Sequence, residues 1–146
     1  MLQLATLILV ATVLVTTAAQ GPTNGVSLTP AVQKAFTQAF PTATISGATE
    51  QRDGNRTLLR VDSIDKGRRR VVLYDPNGTV VETAEQVEEK DLPQAVAAAM
   101  HSHPRAIYVN GMKVTRGREV EYHLTVRGTR KTAMIAKTDG TVVSFR

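Results

Sequence analysis

The stretch Glu119-Val120-Glu121-Tyr122-His123-Leu124-Thr125-Val126-Arg127 decides how this chain is read. Val120, Tyr122, Leu124 and Val126 alternate with Glu121, His123, Thr125 and Arg127, and a period of two places alternate side chains on opposite faces of a β-strand. One face suits a core and the other suits water. Turn residues bound the stretch, Arg116-Gly117 before it and Gly128 after it, and alternating segments at 107–114 and 130–136 flank those turns. A further turn, Asp139-Gly140, leads into a last segment at 141–145. Turns this short join antiparallel neighbours, because a parallel return needs a crossover of about a dozen residues or more. The region is expected to form a four-stranded antiparallel meander.

A helix is expected ahead of that meander. Leu92, Val96, Ala99 and Met100 recur at steps of three and four residues, the stripe of a helix lying on a core. Pro93 suits the first turn, where its missing N–H costs nothing, and Pro104 ends the helix. Asp91 is placed to cap the free amides.

The same arrangement stands upstream. Pro30 and Pro41 precede Pro93 and Pro104 by 63 positions each, and Asn77-Gly78-Thr79-Val80-Val81 precedes Asp139-Gly140-Thr141-Val142-Val143 by 62. Leu28, Val32, Ala35, Phe36 and Ala39 supply the helical stripe, and strand-like segments follow at 42–52, 56–64, 69–74 and 79–83, separated by turn residues. Self-similarity at a fixed offset points to a duplicated unit. The expectation is an α+β fold of two tandem units, 28–84 and 91–146, each a helix plus a four-stranded antiparallel meander, with the two sharing one core. Between them, 85–90 carries Glu85, Glu88 and Glu89 and is expected to be a solvated connector.

The first 19 residues contain no charged side chain and are rich in Leu, Val and Ile, and Thr17-Ala18-Ala19 offers small residues where a signal peptidase cuts. An export signal at 1–19 and a linker at 20–27 follow. The alternative is an uncleaved anchor, since the run is just long enough to span a bilayer. The 146-residue chain has no cysteine, so neither a disulfide nor a lipid-modified cysteine is available to it. Eighteen Lys and Arg against 13 Asp and Glu give a net charge of +5, which favours acidic partners or anionic envelope polymers. Export argues against intracellular nucleic acid as a partner.

Leu92-Pro93 opening a helix, Val96 three residues later, Pro104 closing it, the Tyr-bearing strand at 119–126 and the final Asp139-Gly140 turn resemble the PepSY-like domain family. Within it the chain is most similar to the tandem group that is like secreted β-lactamase-inhibitor proteins, over residues 28–146. The upstream copy has Thr29-Pro30 where the pattern has Leu-Pro. The resemblance implies that the strands form one curved sheet with the helices on one face, that the protein is exported from a bacterium, and that it binds or inhibits another protein instead of catalysing a reaction.

Arg68-Arg69-Arg70 is the densest positive cluster, and Arg127, Arg130 and Lys131 occupy the matching hairpin downstream. Arg68, Arg70, Tyr108, Tyr122, Arg127 and Arg130 are therefore the expected binding residues, facing an exported protein partner such as a peptidase or another envelope enzyme. An anionic envelope polymer is the alternative partner. His101, Ser102, His103 and the strand residue His123 invite a metal or hydrolase reading. Two imidazoles two positions apart point in different directions on a helix and no cysteine completes a zinc set, so no metal, cofactor or catalytic residue is expected.

Overall fold

The computed structural model describes residues 25–146. The elements run α1 (Pro30–Ala39), β1 (Thr44–Asp53), β2 (Arg56–Asp65), β3 (Arg68–Tyr74), β4 (Val80–Val87), α2 (Gln94–His101), β5 (Ile107–Arg116), β6 (Glu119–Arg127), β7 (Lys131–Lys137) and β8 (Val142–Phe145). All eight strands lie in one sheet in sequence order, each antiparallel to the next.

The expected division into two tandem helix-plus-four-strand units is corrected by the pairing between β4 and β5. β4 does not stop at residue 83 but runs on through Val87, and Thr83, Ala84, Glu85, Gln86 and Val87 face Thr115, Val114, Lys113, Met112 and Gly111 in turn. The stretch expected to be a solvated connector is thus largely strand, followed by a short 3-10 turn at Glu89–Asp91. The described residues form mostly one eight-stranded antiparallel sheet, and the two helices among them are short, at 10 and 8 residues. Periodicity marks where strands lie, but an opposite-charge pair such as Glu85 and Lys113 acts across strands and is invisible in a linear scan.

Cross-strand partners share a face in an antiparallel ladder, so the registers sort the side chains. One face carries Leu59, Val61, Val72 and Tyr74, packed against Val32 and Phe36 of α1. Through Val72, Thr83, Thr115 and Val120 the same face continues to Tyr122, Leu124, Val126, Met134 and Ala136, packed against Val96 and Met100 of α2. Both helices therefore cover one side of the sheet. The buried side chains form two clusters instead of the single shared core that was expected, and the β4–β5 ladder joins them.

Thr29 caps α1, its hydroxyl accepting from the Val32 amide at 3.2 Å, with Pro30 in the first turn. The Thr29 hydroxyl also donates to the Pro76 carbonyl at 3.0 Å, which ties the helix to the β3–β4 turn. Asp91 does not cap α2, contrary to expectation; its carboxylate pairs with Arg68 at 3.1 Å. Gly78 and Gly140, both at positive φ, press against the helix starts, where a Cβ would come within 2.8 Å of the Ala31 carbonyl oxygen and 2.6 Å of that of Ala95. Only glycine meets both demands there.

Two tyrosines make opposite use of their hydroxyls. Tyr108 donates to the Val87 carbonyl across Gly111, whose missing side chain leaves room for the phenol. Among the described residues the Tyr74 hydroxyl is buried without a partner, and loss of solvation pushes its pKa up. A buried donor without a partner is costly, whereas removing a satisfied one forfeits a bond, so Tyr74→Phe should leave stability unchanged or raise it by about 1 kcal/mol and Tyr108→Phe should lower it by about 1 kcal/mol. Urea unfolding of the two variants beside wild type checks both signs.

Candidate functional site

The face opposite the helices has no element lying on it among the described residues, yet its floor is not wet. Val71, Leu73 and Val114 are only 9%, 7% and 4% exposed, and Leu58 is equally buried. Around them the registers place Arg60 and Asp62 of β2, Arg69 of β3, Glu82 of β4, Arg116 of β5, and Glu121 and His123 of β6. Long charged side chains cover apolar surface with their stems while their heads pair above it.

The pairing is extensive. Arg60 grips Asp62 with two nitrogens at 2.8 and 3.0 Å, and Arg69 adds a bond to the same carboxylate at 2.8 Å. Arg116 bridges Glu82 at 2.6 Å and Glu121 at 3.2 Å, and His123 Nε2 lies 3.1 Å from Glu121. The Arg60 hydrogen bond, helped by Arg69 and opposed by partial burial, holds the Asp62 carboxyl below its ordinary pKa. Hydrogen bonding to His123 is the largest cause of the same downward shift at Glu121, with Arg116 assisting. Burial works against the Arg116 charge, but Glu82 and Glu121 outweigh it and its pKa rises. The result is a charge pattern fixed by pairing within the sheet, over an apolar floor that is already buried.

The six residues expected from sequence do not meet on this face. Tyr122 is a core residue, 6% exposed and packed with α2, because its strand position belongs to the apolar set of β6. Tyr108 lies on that helix-covered side with its hydroxyl spent on Val87. Arg68 and Arg70 share the Val72 side of β3; Arg70 pairs with Glu85 at 2.8 Å and Asp65 at 3.3 Å and sits 4.1 Å above the Phe40 ring. Such a cation held between two carboxylates and an aromatic face is structural. Arg68 pairs with Glu88 and Asp91. Arg127 and Arg130 stand exposed around the β6–β7 hairpin, Arg127 opposite Ile107 and so next to Tyr108, and three strands from Arg68 and Arg70.

The histidines also have separate partners. His101 lies 3.2 Å from Glu89, His103 stacks on Phe145 with ring centroids 3.8 Å apart, and His123 belongs to the Glu121 pair. The export signal or anchor expected at 1–19 lies outside the described residues. No helix among the described residues is long and apolar enough to cross a membrane.

Sequence reasoning gave no binding role to Asp62, Glu82, Arg116 and Glu121, saw Arg60 only as a neighbour of the Arg68–Arg70 cluster and weighed His123 only as a metal ligand. Their alternation with core residues was the available signal, since each falls on the non-core side of its strand.

No protein-family model matches this chain, and no curated protein matches it in sequence. Solved structures do. A BLIP-like protein from Bacteroides fragilis superposes with a TM-score of 0.64 at 21% identity, covering 83% of this chain and 86% of that one. A DUF2874 family protein from Bacteroides uniformis gives 0.65 at 18%, covering 80% and 87%. A protein named as periplasmic, from Bacteroides eggerthii, gives 0.68 at 18%, covering 82% and 88%. The chain has a BLIP-like fold.

The charge network has a pH signature. Because the Asp62 pKa is lowered in the folded state, its contribution to stability is complete above the ordinary value of 3.8 and is lost as pH falls through the lower folded value. Asp62→Asn should therefore unfold at lower urea than wild type at pH 7, and the gap should close as both are acidified below 3.8. Urea midpoints across that pH range measure it.

Proposed function

We propose that this protein is an exported, non-enzymatic binding module that presents the helix-free face of its sheet to a protein partner and modulates a secreted peptidase or another envelope enzyme. The observation that carries this reading is a broad face, left uncovered by the described residues, with a buried apolar floor on which seven charged or ionisable side chains from five strands are already locked in pairs. Fixed charge patterns select partners and speed encounter more than they add affinity. A pre-ordered surface also loses little side-chain entropy on binding.

Export is supported by the charge-free apolar start of the chain and by the fold it shares with a protein named as periplasmic. Inhibition is supported by the BLIP-like fold alone. The anionic-polymer alternative is less favoured at Arg68–Arg70, because Asp62, Asp65, Glu85, Glu88 and Asp91 pair with all three arginines. A cluster that reads as strongly basic in sequence is neutralised in space.

A photo-crosslinking amino acid placed at Met112 on the helix-free face should trap one discrete envelope protein, whereas the same group at Lys34 on α1 should trap none. Added salt should slow the capture, as steering by charge weakens with ionic strength. Equal labelling from the two positions, or labelling from Lys34 alone, would remove the sheet face as the binding surface.

A further inference from the structure

At the end of the sheet where β6 turns into β7, the charge balance reverses. Arg56, Arg60, Arg68, Arg69, Arg70 and Arg116 all have a carboxylate partner. Arg105, Arg127, Arg130 and Arg146 form no ion pair among the described residues, and the registers bring all four to this end: Arg127 opposes Lys131, Arg146 exchanges hydrogen bonds with Ala133, and Arg105 lies just before β5. Arg52 and Arg118 also form no ion pair among the described residues, but each sits at a different hairpin from these four. Residues 1–24 contain no Asp or Glu that could supply a partner. Like charges placed directly opposite one another in a ladder are unfavourable, so Arg127 beside Lys131 concentrates positive potential at the stability of the hairpin's expense.

A cavity of about 140 Å³ opens here, on the helix side of the hairpin. His103, Thr129, Arg130, Thr132 and Phe145 line it, and no acidic residue does. None of the side-chain hydroxyls and nitrogens of Thr129, Arg130, Thr132 and His103 is hydrogen-bonded within the described residues, whereas the backbone around them is tied down: the Gly128 amide donates to the Arg130 carbonyl at 3.0 Å and the Ala106 amide to that of His103 at 3.2 Å. The His103 ring is held flat against Phe145, with 16° between the planes. With the backbone tied down and no internal partner among the described residues, these side-chain groups are available to a ligand.

The cavity is roomy enough for several waters, and so for a small tetrahedral or planar oxyanion. We propose that this pocket is an oxyanion site that takes a phosphate- or carboxylate-bearing ligand, with Arg130 as the charge-assisted donor, Thr129 and Thr132 as hydroxyl donors, and His103 and Phe145 as one wall. A guanidinium meets either group with two parallel hydrogen bonds. The site stands apart from the helix-free face, and its failure leaves that reading untouched.

The test is an NMR titration of the full chain with inorganic phosphate and, separately, acetate, each against potassium chloride at matched ionic strength. Saturable amide shifts confined to 103–106, 128–132 and 145 are expected, with a dissociation constant raised at least about tenfold in Arg130→Gln, as loss of a charge-assisted bond predicts. Thr132→Val should weaken binding without removing charge, and Arg68→Gln should change nothing. The tighter of the two anions identifies the source, phosphate ester or carboxylate. Shifts that follow ionic strength alone, or that are undiminished in Arg130→Gln while its melting matches wild type, would overturn the site.

Discussion

The structure depends on the hydrogen-bonded ladder between β4 and β5. Each helix covers only its own apolar cluster, Val32 and Phe36 over β2 and β3, Val96 and Met100 over β6 and β7. Either cluster alone belongs to a stretch of about 60 residues, a size at which the buried fraction of surface is marginal. Five ladder positions from Thr83 to Val87 join them into one sheet, and Tyr108 adds a side-chain bond from β5 back to Val87 at the end of the ladder. Backbone pairing thus does the joining that a shared hydrophobic interior would otherwise do.

That same ladder makes the helix-free face continuous. Asp62, Val71, Ala84, Val114 and Glu121 form one row across five strands, and the row crosses β4–β5 without a break. Arg116 reaches from β5 to Glu82 on β4 and Glu121 on β6, so the charge pattern spans the joint. Exposed ion pairs are each worth about 1 kcal/mol or less. These contribute mainly by fixing the orientation of charge over the apolar floor, which is the quantity a protein partner would recognise.

Much of the fold was legible because local rules govern it. Alternation located β6, proline placement located both helices, and the turn glycines located the hairpins, with Gly78 and Gly140 constrained further by the helices they touch. The overall division was misjudged for a physical reason. A run of glutamates at 85–89 reads as solvated, yet Glu85 is strand, with Arg70 paired to it from β3 and Lys113 opposite it on β5. The candidate site was less legible still. Arg68 and Arg70 looked like a free basic patch because their acidic partners lie 5 to 23 positions away in sequence, and Tyr122 looked available because an aromatic on a strand carries no label for its face. Arg130 lines a cavity, and its charge has no carboxylate partner among the described residues.

Native-state amide hydrogen exchange across the sheet tests the central claim most directly, since it reports the opening free energy of each ladder separately. Amides that donate within the β4–β5 ladder should be as strongly protected as those of β2–β3 and β6–β7, all opening together with global unfolding. Rapid exchange confined to β4 and β5, with the two flanking regions still protected, would contradict the account of one sheet held together at that joint.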